Sequence, residues 1–292
     1  MIIDTHTHIF SPAVMADRAS YSKRDPFFGE LYNGIAARMI GAEELIAAMD
    51  AAGIDKAVLA GWPWQTHEIC VEQNSWALEV ARKYPDRLYA LAAIQPSAGA
   101  AARRELERCT TAGMVGLGEL NADGQRFRLD DVDFLALAHR AAEMRVPLLL
   151  HTNEPVGHPY PGKGQLPLAE VYALIKAVPD MKLILAHWGG GFPFYELMRE
   201  VRKAASNVYY DSAASPLLYS SEIFRTVVDI VGSDKVLFGS DFPLILYPKR
   251  QTEPDYAPFL AEMRELGFAT EDRAKMMADN ALRVFGIKQK TL

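Results

Sequence analysis

Short apolar runs alternate along the chain with segments whose apolar residues recur at helical spacing. There are eight such runs, and most are apolar along nearly their whole length, as in strands buried on both faces. They are Ile2–His6, Lys56–Ala60, Leu88–Ile94, Met114–Leu120, Val146–His151, Lys182–His187, Asn207–Asp211 and Lys235–Ser240. The helical segments between them include Ala42–Ala52, Glu68–Tyr84, Asp130–Met144, Leu168–Val178, Phe194–Ala205 and Ser221–Val231. This alternation predicts parallel strands joined by helices.

The spacing of the runs favours a closed barrel. From Ala60 onward, successive strand ends are separated by roughly 24 to 36 residues, the size of one strand–helix unit. Eight units predict an α/β fold of the (β/α)8 TIM barrel type. The length of 292 residues fits one barrel, so a single domain over residues 1–292 is expected. An open doubly wound sheet is the alternative, disfavoured because no glycine-rich phosphate loop follows the first run.

Three connections are longer than a barrel needs, and each follows the carboxyl end of a predicted strand. They are Ser11–Gly41 after strand 1, Thr152–Pro167 after strand 5 and Phe242–Pro254 after strand 8, all rich in proline, glycine and aromatic residues. Long loops in compact domains are more often functional than incidental. They are therefore predicted to be active-site loops. The segment Thr270–Phe285 is predicted as a helix followed by a short closing helix.

Composition narrows the classes of partner. The 31 basic and 37 acidic residues give a net charge of −6, which disfavours nucleic acid because phosphate binding needs clustered Lys and Arg. No apolar run approaches the roughly 20 residues of a membrane-spanning helix, and no signal peptide is visible. Two cysteines, Cys70 and Cys109, form neither a disulfide framework nor a CxxC site. We expect a cytoplasmic protein with a small-molecule substrate, no nucleic acid and no membrane partner.

The first strand carries the clearest chemistry, in Asp4-Thr5-His6-Thr7-His8. Side chains alternate along a strand, so residues 4, 6 and 8 face the barrel interior together. Two imidazoles on one face can both reach a single divalent ion. The simpler interpretation is a pair of hydrogen-bonded core histidines.

Four more strands end in residues of the same kind, which are Glu119, His151, His187 and Asp241. Each alone has an ordinary explanation as a polar strand end, a turn former or a helix N-cap. Together with His6 and His8 they form a set at the rim where barrel enzymes keep their chemistry. Such a mixture of imidazoles and carboxylates predicts a site for one or two divalent ions, with Zn²⁺ favoured and Mn²⁺ as the alternative.

These motifs resemble the amidohydrolase superfamily. The resemblance lies in Asp4-Thr5-His6-Thr7-His8, in the strand-end His151 and His187, and in Phe238-Gly239-Ser240-Asp241-Phe242-Pro243, and Asn280–Gly286 is typical of it too. It spans the whole chain and is strongest to the amidohydrolase-related branch that includes aminocarboxymuconate-semialdehyde decarboxylase-like enzymes. The resemblance implies a metal-dependent barrel with His6, His8 and Asp241 as ligands, and His151 and His187 match the strand-five and strand-six histidines.

Glu119 decides which branch the sequence favours. Gly118-Glu119-Leu120 resembles the strand end of metal-dependent deoxyribonuclease-like barrels, and some superfamily members carry a carboxylate there that bridges two metals. The sequence therefore favours a metal-dependent hydrolase acting on a lactone, a cyclic amide or a related carboxylated compound. The alternative is a non-oxidative metal-dependent decarboxylase of a carboxylated ring or semialdehyde. A barrel that binds without catalysis would lack an acid/base group, yet every expected position is filled.

Asp241 and His187 are the predicted catalytic residues. In a hydrolase, Asp241 would accept the proton of a metal-activated water, and His187 would bind a second ion or donate to the developing oxyanion. In a decarboxylase, both would handle protonation of the carbon that loses CO₂.

Candidate substrate-binding residues lie in the loops that follow the strands. They are Trp62, Asn121, Asn153, His158, Trp188 and Arg250. Arg250 could hold a carboxylate through two hydrogen bonds, although a solvated loop arginine is an equal alternative. His67 and His139 fall in predicted helices and are interpreted as structural. The family resemblance also leaves a homodimer open.

Overall fold

The predicted strands form one sheet in chain order. The computed structural model describes residues 1–34 and 37–288. Each strand pairs in parallel with the next along the chain, so the order is β1 to β8. The strands are β1 (Ile3–Thr7), β2 (Lys56–Leu59), β3 (Leu88–Ala92), β4 (Gly116–Leu120), β5 (Leu148–Leu150), β6 (Leu183–Leu185), β7 (Val208–Asp211) and β8 (Val236–Leu237).

The segment after β8 returns to β1 and closes the sheet. Thr7 forms a parallel bridge to Phe242, and the backbone N–H of Thr5 donates to the carbonyl of Phe238 at 2.9 Å. The predicted (β/α)8 barrel is therefore confirmed. The single-domain prediction reaches residue 292, and residues 289–292 lie outside the described residues.

Helices occupy the connections between the strands. The α-helices are α1 (Pro12–Ala16), α2 (Arg18–Arg24), α3 (Pro26–Tyr32), α4 (Ala42–Ala52), α5 (His67–Lys83), α6 (Ala100–Thr111), α7 (Ala122–Gln125), α8 (Val132–Glu143), α9 (Leu168–Ala177), α10 (Arg199–Ala204), α11 (Ser215–Leu218), α12 (Glu222–Val231), α13 (Ala257–Glu265), α14 (Thr270–Ala274) and α15 (Asn280–Phe285). Short 3₁₀ segments cover Pro96–Ala98, His187–Leu197, Ala205–Asn207 and Ser233–Lys235, and a π-helical turn, Lys275–Asp279, joins α14 to α15. In the described residues, no helix is both long and apolar enough to cross a membrane.

The long connection after β1 contains three short helices that the hydrophobic pattern did not predict. Side-chain oxygens of Ser11, Asp17 and Asp25 accept hydrogen bonds from the backbone N–H groups of the first turns of α1, α2 and α3. Such N-caps satisfy donors that the helix itself leaves free. Each helix is too short to show apolar periodicity. Within this predicted loop, residues 35 and 36 lie outside the described residues.

The structure corrects the predicted helix Phe194–Ala205. The backbone from Trp188 to Gly191 has φ between 59° and 95°, so the chain runs through a 3₁₀ segment before the shorter helix α10. A side chain on Gly190 would meet the carbonyl oxygen of Asn153 at 2.3 Å. Glycine is therefore required where this loop crosses the loop after β5.

The barrel interior is filled at its amino-terminal end. One buried cluster joins strand side chains to α15: Ile3, Val58, Leu91, Leu149, Ile184 and Leu237 with Ala281, Val284 and Phe285. A second, larger cluster lies between the outer face of the strands and the surrounding helices. Because one end is packed by apolar side chains, the carboxyl ends of the strands remain as the open mouth, where barrel enzymes place their sites.

A buried charge network between helices gives a first stability test. Glu105 of α6 is 5% exposed, accepts a hydrogen bond from Asn74 Nδ2 at 2.8 Å and two from Arg108 at 2.6 and 2.7 Å. Burial acts to raise the pKa of Glu105, but the hydrogen bonds from Arg108 and Asn74 outweigh it and lower the pKa. We expect Glu105→Gln to lower the free energy of unfolding by about 1.5–3 kcal/mol at pH 7, measured by urea denaturation.

The control is Glu143→Gln, which removes an exposed pair with Arg140 and should change stability by less than about 0.5 kcal/mol. A depressed pKa in the folded state gives stability that is present above the unfolded-state pKa and is lost as the pH falls. The difference between the wild type and Glu105→Gln should therefore shrink below about pH 4.5. Equal stability of the two proteins at pH 7 would contradict this role.

Candidate metal centre and active site

The six strand-end residues predicted as ligands meet at the open mouth of the barrel. His6 and His8 lie at β1, Glu119 lies in β4, and the other three follow β5, β6 and β8: His151, His187 and Asp241. They meet because the carboxyl ends of all eight parallel strands open at the same rim. Their roles as ligands stay a prediction, which the geometry below supports.

The Nε2 atoms of His6 and His8 face each other. Their Nε2 atoms are 3.1 Å apart. Nδ1 of His6 lies 2.9 Å from a carboxylate oxygen of Asp211, and Nδ1 of His8 lies 3.1 Å from the carbonyl oxygen of Ala60. Because both partners only accept hydrogen bonds, each Nδ1 carries a proton, and a cation bound between the rings would meet an Nε2 lone pair from each of them. The two nitrogens are therefore placed to bind one cation between them.

Two carboxylates complete the surroundings of this pair. Asp241 Oδ1 lies 3.2 Å from Nε2 of His8 and 3.8 Å from Nε2 of His6. Glu119 Oε2 lies 3.5 and 3.7 Å from the same nitrogens. Atoms that bind one zinc-like ion at about 2.0–2.2 Å lie roughly 3–4 Å from one another. The four side chains therefore fit a single divalent ion.

Glu119 is shared with a second group. Its other oxygen, Oε1, lies 2.8 Å from Nδ1 of His151 and 3.7 Å from Nε2 of His187. Nδ1 of His187 donates to the carbonyl oxygen of Ala213 at 3.0 Å, so its Nε2 faces the cluster, 3.2 Å from Nδ1 of His151. Nε2 of His151 is buried and has no hydrogen-bond partner in the described part of the chain. A buried nitrogen without a partner is an additional sign that the cluster fits a bound ion.

The cluster keeps its carboxylates charged. Burial acts to raise the pKa of Glu119, but the charges of His6 and His151 hold it well below its usual value. Burial opposes ionisation of Asp241 too, and its contacts with His8 and His6 still lower its pKa. Burial disfavours the charged form of His187, but Glu119 and Asp241 outweigh that effect and raise its pKa to about 9. Both carboxylates are therefore ionised where a cation would bind.

Asp211, at the end of β7, holds two of the histidines in place and was not predicted as a site residue. It is fully buried, and its Oδ2 accepts the hydrogen bond from His6. Its Oδ1 accepts from the backbone N–H groups of His187 and Ala213 at 2.9 and 3.0 Å. Carboxylates behind metal-binding histidines fix the ring orientation in this way. Its position at a strand end, like that of Asp241, was the signal that could have found it.

Asp4 positions the loop that carries Asp241. Its carboxylate accepts hydrogen bonds from the backbone N–H and the hydroxyl of Ser240, at 3.0 and 2.5 Å. Burial raises the pKa of Asp4 to about 6 despite these bonds. Asp241 itself has φ of 69°, a left-handed conformation that aspartate tolerates better than most residues. The β1–β8 junction thus aims the Asp241 side chain at the cluster.

A cavity of about 560 Å³ opens directly onto the cluster. It is lined by His8, Glu119, His151, His187 and Asp241 at its base. Of the predicted substrate-binding residues, Trp62, Asn121 and His158 line it. The loop after β1 adds Phe27, Leu31, Tyr32 and Arg38, which sequence reasoning did not identify. Finding them needs the folded loop, because their spacing follows three short helices.

The other three predicted substrate-binding residues do not line the cavity, and their role in substrate contact stays a prediction. Trp188 is wholly buried, and its Nε1 donates to Ser215 Oγ at 2.9 Å. Asn153 is buried and bonds to Gly164 N, at 2.9 Å, and to Tyr160 OH, so it supports the loop after β5. Arg250 is exposed, on the outer part of the loop after β8. Adjacency in sequence to a cluster residue did not place these side chains.

A parallel barrel with histidines and carboxylates at its carboxyl mouth is the architecture of metal-dependent TIM-barrel enzymes. Residues 3–287 match the family model described as amidohydrolase. The chain therefore belongs to the amidohydrolase family, as the sequence motifs predicted.

Similar proteins indicate which members of the family the chain resembles. The chain is 24% identical over 327 residues to a gamma-resorcylate decarboxylase of Rhizobium radiobacter, covering 95% of this chain and 96% of that protein. It is 22% identical to a 2-amino-3-carboxymuconate-6-semialdehyde decarboxylase of Dictyostelium discoideum, covering 73% of this chain and 65% of that protein. A dihydroxybenzoic acid decarboxylase from Polaromonas sp. JS666, solved with manganese and the inhibitor 2-nitroresorcinol, has the same fold with a TM-score of 0.76, 20% identity and coverage of 99% and 97%.

These relatives overturn one sequence-based preference. The sequence favoured a hydrolase because Glu119 resembled a metal-bridging carboxylate. The named relatives are decarboxylases, so the preference for hydrolysis was wrong and its alternative is the better supported. The His/Glu groups of the cluster are candidate ligands for the expected divalent metal.

Proposed function

We propose that the protein is a metal-dependent, non-oxidative decarboxylase of a carboxylated ring compound. The observation that carries the proposal is a histidine and carboxylate cluster, open to a cavity, in a chain that aligns over 95% of its length with a decarboxylase. The fold alone would not distinguish decarboxylation from hydrolysis, because one barrel supports many reactions.

The proposed ion is Zn²⁺ or Mn²⁺, held by His6, His8 and Asp241 together with Glu119 or His151. Imidazole and carboxylate ligands suit both metals. The number and geometry of the ligands, and not their chemical type, distinguish Zn²⁺ from Mn²⁺. Bound there, the ion would polarise the oxygen atoms of the substrate and neutralise its negative charge.

His187 is placed to deliver the proton that the reaction needs. Decarboxylation breaks the bond between the ring carbon and the carboxylate, releases CO₂ and leaves the electron pair on the ring carbon, which takes up one proton. His187 lines the cavity, and its hydrogen bond to Ala213 fixes the ring so that Nε2 faces the cluster. A proton on this nitrogen is within the reach required of a general acid at the base of the cavity. The carboxylate of Asp241 lines the same cavity and favours the protonated imidazole.

The walls of the cavity fit an aromatic acid. Trp62 stacks on Phe27 with ring centroids 5.6 Å apart, which gives the cavity a flat apolar wall. Arg38 lines the rim of the cavity. The hydroxyl group of Tyr32 also lines it and has no hydrogen-bond partner among the described residues. An arginine and a hydroxyl are groups that bind oxygen atoms of a ring substrate. We assign Trp62, Asn121 and His158 to substrate contact on the same ground.

The proposal is tested by supplying hydroxybenzoates, including 2,6-dihydroxybenzoate, to protein loaded with Zn²⁺ or Mn²⁺. We expect release of CO₂ with formation of the ring product lacking its carboxyl group, measured by gas analysis and chromatography. Removal of the metal by a chelator should abolish turnover, and addition of one of the two ions should restore it. Ring opening of a lactone without CO₂ release from any acid would contradict the proposal.

A further inference from the structure

The cavity is larger than one carboxylated ring requires. Its volume of about 560 Å³ is in the range that holds a drug-sized ligand, roughly 300–1,000 Å³. A single ring bound at the cluster would leave much of this space to water. The remaining volume is therefore available to a part of the substrate that does not react.

The two sides of the cavity differ in polarity. Leu217 and Leu218 of α11 line it after β7, and Leu244 and Ile245 line it after β8. The side formed after β4 and β5 contributes the polar groups instead, among them Asn121, His158 and Tyr160. In a barrel ordered β1 to β8, β8 lies across the mouth from β4. The substrate therefore meets an apolar wall on one side and hydrogen-bonding groups on the other.

Leu218 and Leu244 lie outside the apolar clusters of the described residues. Leu244 is 41% exposed, and neither side chain belongs to a buried cluster or packs against one, whereas Leu217 packs on the core. Apolar surface left in water is unfavourable in proportion to its area. A ligand that covers these two leucines would recover that free energy on binding. Their place on the cavity wall makes the substrate itself the fitting occupant.

We propose that the natural substrate is an amphipathic carboxylic acid whose body extends beyond the reacting ring as an aryl or alkyl group. Its carboxylate binds at the metal cluster, and its apolar extension lies along Leu218 and Leu244. This inference rests on the proposed function for the placement of the carboxylate. It predicts that the site binds acids with an apolar extension more tightly than small polyhydroxylated acids.

The test measures binding rather than turnover. Benzoate, biphenyl-4-carboxylate and biphenyl-4,4′-dicarboxylate are titrated into the metal-loaded protein by calorimetry. We expect biphenyl-4-carboxylate to bind at least about tenfold more tightly than benzoate, because it buries a second ring. The dicarboxylate has the same length but a charged far end, so it should lose most of that gain.

Variants locate the contact. Leu218→Ser and Leu244→Ser should each weaken binding of biphenyl-4-carboxylate about threefold or more while leaving benzoate unchanged. Leu197→Ser is the matched control, since Leu197 is 65% exposed and does not line the cavity. Equal affinity for benzoate and biphenyl-4-carboxylate, or equal effects of all three substitutions, would overturn the inference.

The outcomes separate this inference from the proposed function. If hydroxybenzoates are decarboxylated without any preference for the apolar extension, the inference fails alone. If the binding preference and its loss in Leu218→Ser and Leu244→Ser are found but no acid releases CO₂, the proposed reaction fails and the apolar binding site stands.

Discussion

We expect the double substitution His6→Ala and His8→Ala to remove the metal and the activity together. It deletes both Nε2 atoms, which lie 3.1 Å apart in the cluster. Elemental analysis of protein prepared without chelator should find about one equivalent of metal or more in the wild type and less than about a tenth in the variant. CO₂ release should fall to background. The barrel should stay folded, because the apolar cluster that fills it lies at the opposite end.

His139→Ala is the matched control. His139 lies on α8, is exposed and is outside the cluster, so its loss should leave metal content and turnover unchanged. Circular dichroism of all three proteins checks that the fold is kept. A double variant that still holds a full equivalent of metal would show that the ion binds elsewhere.

The barrel and the cluster were predictable because they follow from simple geometry. Strand side chains alternate, so His6 and His8 had to share a face, and parallel strands end at one rim, so Glu119 and Asp241 had to lie near them. Neither inference needs the packing of loops. This is why the strand-end residues came together as expected.

The positions of the loop residues were not predictable, because they depend on how the loops pack. Trp188 follows His187 directly, yet its backbone has φ of 60°, and its side chain is buried against Phe224 with ring centroids 4.8 Å apart. Tyr32 and Arg38 reach the cavity only because three capped helices fold the connection after β1. Positions of this kind depend on tertiary contacts that local sequence does not encode.

The reaction could be predicted from local sequence motifs least of all. The same His/carboxylate cluster can serve a hydrolase or a decarboxylase, so Glu119 could not decide between them from its motif. In the structure Glu119 touches both His6 and His151, which fits its place in the cluster under either reaction. Similarity over nearly the whole chain to a gamma-resorcylate decarboxylase is what favours decarboxylation.

Replacing His187 by asparagine should separate proton delivery from metal binding. Asparagine accepts the positive φ of 55° at this position, and its amide can still donate to the carbonyl of Ala213. It cannot deliver a proton, so we expect kcat for CO₂ release to fall roughly 10²–10⁴-fold while the metal content stays at the wild-type value. The exposed His139→Asn serves as the control and should keep full activity. Turnover within a few-fold of the wild type would show that another group supplies the proton. Parallel loss of the metal would place His187 among the ligands instead, because the proton-delivery role requires an imidazole that is not bound to the ion.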